Sequence, residues 1–576
     1  ALDIDIIKDM LSAKLLYGVN KENGKRSAYI PKDVYWGLVR KSRGSLGYNE
    51  RQYETMEGTL SFRHKFWNMI DVNAVAGMGR YLDKGTGMTV SYQNANDMIN
   101  DSNLAAADGP FSPTSYKYEN EKRSQFLRAS FDVLDRYVLT GTLRRDGTDK
   151  FFPDKKYSLF PSASVAWKMS NESFMQHLSW LNLLKVRASY GVTGSDNLGT
   201  SLYGIIGISR EDVKFSNSGV TYVPYALQSA NYSDVTWQKT AMKNIGLDFS
   251  ILKDKIWGSL DFFRNDVTNL LGTAPTSLLN MYGYRPINGG HYKRTGVELS
   301  LNTLNIQTPN FKWTSSLALS HYNAYWIERM PNFDYKKYQK RENEPMSAYY
   351  YYKTVGVINE DRSNMPDSQR SLPREAQLPG YPIIDDRNGD GKIDIDDIYM
   401  DNTLPKVYYG FGNTFTYKNF DLDIYMYGQL GVKKFNSTHA SNCSAANLAS
   451  GTLASNPTDY AYAIWNSQTN PNGTVPGIAS SKSVALPENA PINTFWEKAS
   501  FLRVRNITLG YNWDTRKLAF LKGNVQTIRL FVDFQNPFTL TKFEGDDPEI
   551  TTAAGNLGHG QYPQLRVYSF GAKISF

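Results

Sequence analysis

The final eleven residues, RVYSFGAKISF, set the strongest limit on what this chain can become. Tyr568, Phe570, Ala572, Ile574 and Phe576 recur with a period of two, and Ser569, Gly571, Lys573 and Ser575 fill the positions between them. Successive side chains of a strand point to opposite faces, so this segment has one apolar face and one small or polar face. Two settings satisfy that pattern: lipid on one side and a wet lumen on the other, or the half-buried strand of a soluble sandwich. The rest of the chain has to choose between them.

The same alternation returns along the chain in about sixteen segments bounded by turn residues. They are expected near 3–17, 52–66, 69–82, 121–134, 136–146, 157–171, 183–194, 238–252, 255–268, 292–303, 310–325, 405–417, 419–433, 499–514, 525–540 and 566–576. Around Lys418 the pattern is clear: Phe420, Leu422, Ile424 and Met426 share one face, while Asp421, Asp423, Tyr425 and Tyr427 share the other. Ile528, Leu530, Val532 and Phe534 oppose Arg529, Phe531, Asp533 and Gln535 in the same way. Strands buried in soluble cores seldom keep one face so charged. The connections add a second signal, with short links near Asn68, Asp135, Lys253-Asp254 and Lys418 alternating with long ones. Short turns at one end and long loops at the other are the pattern of an outer-membrane barrel, and they place Ala1 and Phe576 on the periplasmic side. Two connections, 326–404 and 434–498, are too long to be mere linkers and are expected to carry function. In the first, Tyr349 to Tyr352 open an extra strand or a folded-back segment, and neither loop is expected to be an independent domain.

Composition agrees with this choice. Aromatics make up 14% of the 576 residues, with 39 Tyr and 11 Trp, more than a typical soluble domain carries. Mean hydropathy is negative and no apolar run is long enough for a spanning helix. In a barrel only alternate residues meet lipid, which removes the contradiction. The net charge of +8 comes from 64 Lys and Arg scattered among 56 Asp and Glu, without the basic runs expected of a nucleic-acid binder. The single cysteine, Cys443, excludes an intramolecular disulfide, and nothing at Ala1 reads as a signal peptide.

Nine strings then stand in a recognisable order: RRDGTDKF (from Arg144), FPSASVAWKMSNESFM (from Phe160), LKVRASYGVTGS (from Leu184), NIGLDFSIL (from Asn244), KRTGVELSLNT (from Lys293), YGFGNTFTYKNFDLDIYMYGQLG (from Tyr409), SFLRVRNITLGY (from Ser500), QNPFTLTKFEGDDPE (from Gln535) and the terminal YPQLRVYSFGAKISF. Together they resemble the C-terminal barrel portion of the SusC/RagA-like TonB-dependent outer-membrane transporters of Bacteroidota. The resemblance implies an all-β, transmembrane antiparallel barrel of 22 strands, of which residues 1–576 would supply about sixteen, leaving two edges for the missing strands to cover. It further implies a plug absent from this sequence, a TonB complex engaged through a missing N-terminal segment, a SusD-like surface lipoprotein as lid, and import of oligosaccharides or, in some members, peptides. Phe576 would be the aromatic terminus that outer-membrane assembly recognises. The alternatives are uptake of a metal chelate and, from another class, a non-transporting surface binding or adhesion barrel.

The sharpest local motif is Asp386-Arg-Asn388-Gly-Asp390-Gly391-Lys392-Ile-Asp394-Ile-Asp-Asp397. Oxygen side chains at positions 1, 3 and 5, glycine at 6 and a carboxylate at 12 match a calcium loop, with Lys392 offering its carbonyl and Asp394 at position 9. Ca²⁺, or alternatively Mg²⁺, is the expected ion, and an Asx-rich turn without an ion is the other reading. No catalytic residues are expected: His64, His177, His291, His321, His439 and His559 are dispersed, and no nucleophile motif is present. Tyr349 to Tyr352 could stack on sugar rings, but packing beneath a lid is the favoured reading. Phe495, Trp496 and Trp513 are read as membrane-boundary aromatics. Glu544, Asp546, Asp547 and Glu549 are read as a solvated acidic loop.

Overall fold

The computed structural model describes residues 1–33, 42–94, 104, 107, 109–199, 202, 231–277, 283–339, 343–442, 462–477, 486–515, 525–545, 547–549 and 564–575, together with the backbone of 205–208, 215–217, 220–222 and 225–229. Seventeen strands form one antiparallel meander in which each strand pairs with the next in sequence. They are β1 (Leu2–Ile7), β2 (Leu11–Ile30), β3 (Arg43–Phe66), β4 (Ile70–Gln93), β5 (Ser112–Val133), β6 (Tyr137–Thr148), β7 (Tyr157–Lys168), β8 (Leu181–Ser195) and β9 (Gln238–Ile251). β10 (Ile256–Pro275), β11 (Tyr284–Gln307), β12 (Phe311–Glu328), β13 (Val407–Tyr417), β14 (Phe420–Leu430), β15 (Phe501–Asp514), β16 (Thr527–Thr541) and β17 (Val567–Ser575) complete it.

The tight turns all sit after odd-numbered strands, and five of them reverse the chain with residues in the left-handed region: Asp9 (φ 59°), Asn68 (55°), Asp135 (54°), Lys253 (58°) and Lys418 (50°); the turn between Gln307 and Phe311 closes instead on a bond from the Thr308 amide to the Phe311 carbonyl at 2.8 Å. Such turns follow the natural twist of the strands they join. Register then separates the faces. Ala572, Phe570 and Tyr568 pair with Leu530, Val532 and Phe534 on the outer face, and Lys573, Gly571 and Ser569 pair with Arg529, Phe531 and Asp533 on the lumen face. Phe570 is 85% exposed, an arrangement that is favourable only if lipid covers it. Tyr417, Phe420, Tyr511 and Trp513 close the apolar band at the short-turn end, and Trp513 thus lies where it was expected. β1 pairs with β2 and β17 with β16, and among the described residues no ladder joins β1 to β17.

The structure corrects two expectations. The segment 3–17 is not one strand, because the chain reverses at Asp9 and continues as the 20-residue β2. β1 therefore runs towards the short-turn end, and Ala1 lies on the wall above it rather than at the periplasmic rim. β3, β4 and β5 also run well past their expected ends, to 24, 24 and 22 residues, because their outer halves are polar on both faces and show no alternation. Phe576 lies outside the described residues.

The outer face yields a direct prediction. Leu127, 55% exposed on β5 at mid-height of the apolar band, should tolerate no charge. Leu127→Arg should cost about 2–4 kcal/mol in the full-length barrel, measured as a lower denaturation midpoint in lipid vesicles.

Candidate functional site

The lumen wall is built from the inward positions of β10 to β14. Tyr322 and Tyr408, diagonal neighbours across the β12–β13 ladder in which Ser320 faces Tyr408, stack with centroids 5.6 Å apart and planes 3° apart, and their hydroxyls are 3.3 Å apart. The Arg294 guanidinium carbon sits 3.8 Å from the Tyr322 ring centroid. Tyr425 and Tyr427 form a second parallel pair at 6.4 Å. Gly410 leaves room for them: a Cβ there would stand 2.8 Å from the Tyr425 hydroxyl. Tyr408, Gly410, Tyr425 and Tyr427 border a cavity of about 460 Å³ that also meets Asp261, Glu298 and Gln429. Farther round the wall, Thr142, Ser162, Ser189, Asn244 and Asn265 line a hollow of about 610 Å³. Arg187 spans β8 to β10 there, bonding Asp248 at 3.1 Å and Asp261 at 2.6 Å.

Above the wall, the two long loops fold together. Ala348–Tyr351 pairs with Tyr399–Asn402, and Thr354–Val357 pairs with Pro382–Ile384, so the first loop is folded back on itself. Its core joins Tyr350, Tyr352, Ile358, Ile384 and Ile398 to Leu486, Ala490 and Ile492 of the second loop. The Tyr352 amide donates to the Pro491 carbonyl at 2.8 Å, and the Asn493 amide donates back to the Tyr352 carbonyl at 3.2 Å. Trp496 stacks on Tyr349 at 3.8 Å. The tyrosines thus pack inside the cap rather than facing a ligand, and burial raises the hydroxyl pKa of Tyr349, Tyr351 and Tyr352. Phe495, 3% exposed, and Trp496 belong to this cap and not to the membrane boundary: the chain at Phe435 and Trp496 has left the barrel for a hairpin of its own. At the cap's edge Lys353 and then Tyr399 bond Asp385, at 2.9 and 2.7 Å, and hold its carboxyl below the usual range.

The acidic loop from Asp386 to Asp397 lies on the surface of this cap. Gly389 (φ 72°) and Gly391 (φ 81°) make the sharp bends. Asp386 accepts from the amides of Gly389 and Gly391 at 2.8 and 2.9 Å. Asn388 accepts from the Asp390 amide at 3.0 Å, and Asp390 accepts from that of Lys392 at 2.9 Å. Asp397 behaves differently. It is fully buried and accepts from the amides of Arg387 at 2.9 Å and Asp394 at 2.8 Å, while Asp394 caps the short helical turn through the Asp396 amide. Burial pushes the Asp397 carboxyl up, against the pull of those amides. The structure therefore brings Asp386, Asn388 and Asp390 to the loop tip and buries Asp397 beneath them, with its carboxylate taken up by the loop's own amides.

Two groups escaped the sequence. Arg503, 2% exposed, bonds Asp547 at 2.8 Å and also Glu549, and Tyr427 donates to Glu549 at 2.6 Å. Asp547 and Glu549 are thus an anchor for the β16–β17 loop, not a solvated run; Glu544 is exposed as expected, and Asp546 lies outside the described residues. The second group is His439, Glu497 and Glu544, whose ligand atoms lie within 4.8 Å of one another, a grouping that Asp386, Asp390, Asp394 and Asp397 do not make among the described residues. His439 Nδ1 is 3.0 Å from Glu497. Their separation in sequence gave no spacing to recognise. Cys443 and His559 lie outside the described residues.

A strand-crossed barrel wall with a polar, tyrosine-bearing lumen and a folded cap over it defines an outer-membrane β-barrel of the receptor class. The family model described as TonB dependent receptor-like, beta-barrel, matches residues 12–536, and the chain belongs to that family. It is 26% identical to TonB-dependent receptor P3 of Formosa agariphila over 99% of this chain and 57% of that protein. It is 27% identical to TonB-dependent receptor SusC of Bacteroides thetaiotaomicron over 80% of this chain and 44% of that protein. The chain thus spans about half the length of these curated relatives. A solved structure of the RagAB peptide transporter superposes with a TM-score of 0.80 at 19% identity, covering 100% of this chain and 61% of that one. The protein is therefore an outer-membrane β-barrel of the TonB-dependent receptor family, similar in sequence to SusC and in fold to the RagAB transporter.

Lys434, which donates to the Pro548 carbonyl beside Arg503, is 5% exposed, and burial pushes its amine down to about 8 despite Asp547 and Glu549. A lysine with a depressed folded pKa binds fewer protons folded than unfolded, so stability rises with pH through that window. Wild type should gain stability relative to Lys434→Met between pH 8 and 10.5, read from thermal unfolding across that range.

Proposed function

We propose that the protein imports a nutrient across the outer membrane, driven through TonB, and that the nutrient is an oligosaccharide delivered beneath a SusD-like surface lipoprotein. The observation that carries this reading is the lumen wall, where two parallel tyrosine pairs stand side by side, Tyr425 over Gly410, and Tyr408, Tyr425 and Tyr427 share a cavity with Asp261, Glu298 and Gln429. Flat rings suit the apolar faces of sugars, and carboxylate and amide groups suit their hydroxyls. The kinship to SusC favours the same reading, while the likeness to a transporter titled for peptides favours peptide import as the second. The strands and plug that complete the barrel, and the segment that TonB engages, would come from the remainder of the family's length.

Tyr408→Ala in the full-length protein should lower oligosaccharide uptake by roughly threefold to tenfold, the loss expected of one stacking partner. The measurement is growth on purified oligosaccharides and, separately, on peptides. Loss on peptides alone transfers the proposal to peptide import, and loss on neither removes the tyrosine wall from it. The cap supplies the lid contact in this reading. Deleting residues 440–485 should weaken co-purification of the lipoprotein while leaving barrel assembly intact, and full retention of the lid would remove this loop from the contact.

We further propose that the loop of Asp386, Asn388, Asp390, Lys392, Asp394 and Asp397 takes Ca²⁺, or alternatively Mg²⁺, to stiffen the cap. The left-handed glycines at positions 4 and 6 and the three oxygen side chains at the tip support it; the inward turn of Asp397 leaves position 12 to be recruited. Calorimetry on chelator-stripped protein should give a dissociation constant of about 10⁻⁴ to 10⁻³ M, in the range of extracellular modules. Asp386→Asn with Asp390→Asn should abolish the heat, and an absence of heat in the wild type leaves the motif a turn.

A further inference from the structure

The outer face of β4, β5 and β6 carries a feature that neither lipid packing nor transport uses. Below it the surface is apolar, with Met78, Leu127, Leu143 and Leu159 all about half exposed or more. The apolar rows end on arginines: Arg80 pairs in register with Arg123, and Arg145 pairs with Gln125, all on the lipid-facing side. Arg80 and Arg123 each stand ten residues from the short-turn ends of β4 and β5, at Ile70 and Val133. At about 3.3 Å per residue and a tilt of about 40°, that height is about 25 Å, the thickness of the apolar band. The arginines therefore lie at the outer-leaflet boundary.

Their charges are not balanced. Glu121 takes both Arg80, at 2.6 Å, and Arg123, and the acid of the next row, Glu119, is 3.5 Å from Lys84. Arg145 bonds no carboxylate; its guanidinium carbon lies 4.3 Å from the centroid of the Tyr157 ring. Among the described residues Glu121 is thus the one carboxylate that these three guanidiniums bond; Glu54, which acts on Arg80 from the neighbouring strand, is bonded by Gln52, and the Arg80 and Arg123 side chains stay 48% and 56% exposed. Beside them runs a groove of about 730 Å³ between Leu15, Met56, Met78, Arg123, Arg145 and Tyr157. Gly58 keeps its floor shallow, since the nearest atom to a Cβ there would be a Leu15 methyl at 3.4 Å.

We propose that this patch is a binding site for a phosphate-bearing lipid of the outer leaflet, with the phosphate held by Arg80, Arg123 and Arg145 and an acyl chain in the groove. Snorkelling accounts for single cationic side chains at headgroup height. It does not account for three at neighbouring positions, whose mutual repulsion an anion relieves. Guanidinium forks match phosphate oxygens two at a time, and a lipid supplies both that anion and an apolar tail for Leu15 and Met78.

The test uses the full-length protein purified from outer membranes in mild detergent, with retained lipid weighed by native mass spectrometry. Bis-phosphorylated lipid A and its dephosphorylated form are the added probes. The wild type should retain lipid A and release the dephosphorylated form, and Arg80→Gln/Arg123→Gln/Arg145→Gln should bind lipid A at least about tenfold more weakly. Heat-modifiable gel migration reports whether that variant is folded. If it is not, the single variant Arg145→Lys, which keeps the charge but loses the fork, should still show weaker retention. Equal retention by the folded triple variant, or by Arg145→Lys where the triple variant misfolds, overturns the proposal, as does equal binding of the two probes by the wild type.

Discussion

At membrane depth there is no water to take up a backbone N–H or C=O, so each must be matched within the protein. Among the described residues the seventeen-strand meander meets that demand everywhere except along the outer edges of β1 and β17, by pairing each strand with its sequence neighbour, and the other features of the molecule follow from it. Because the ladder fixes register, a lumen face of Asp, Arg, Tyr and Ser can stand one residue away from a lipid face of Leu, Phe and Met without conflict. Because sequential strands are joined alternately by tight turns and long excursions, the loops gather at one end, where two of them can meet and share a core.

That shared core makes the cap a solid object. Tyr352 bonds backbone on the other loop, its side chain is fully buried, and Trp496 lies flat on Tyr349. The lumen wall uses the same residue type in the opposite way. Tyr322 and Tyr408 stack on each other beneath Arg294, and Tyr425 and Tyr427 stand parallel with Tyr425 over Gly410, all of them on the lumen wall. Burial separates the two uses, and burial is a property of the fold and not of the tyrosine.

The barrel was legible in the sequence because lipid on one side and water on the other impose a period of two that nothing else in the chain disturbs. Ends of strands were legible where Asn, Asp or Lys turns interrupt that period, as at Asn68 and Lys418. Where strands stand in water on both sides the period fades, so the upper parts of β3, β4 and β5, the stretch of β2 beyond Tyr17 and the reversal at Asp9 were missed. Partners far apart in sequence were hidden for a different reason. Arg503 with Asp547, and His439 with Glu497 and Glu544, meet only because loops from different hairpins fold over one another. The acidic loop shows the limit of a motif: its spacing placed Asp386, Asn388 and Asp390 correctly at one tip, but the burial of Asp397 depends on the cap beneath it.

The unequal height of the wall has a consequence of its own. A strand of 24 residues such as β3 or β4 is about 80 Å long, and at a tilt of about 40° it rises about 60 Å, whereas the apolar band needs about 25 Å. More than half of this sector therefore stands clear of the hydrocarbon, like a chimney on a roof. A molecule approaching the cell surface on this side meets protein well before it meets the membrane.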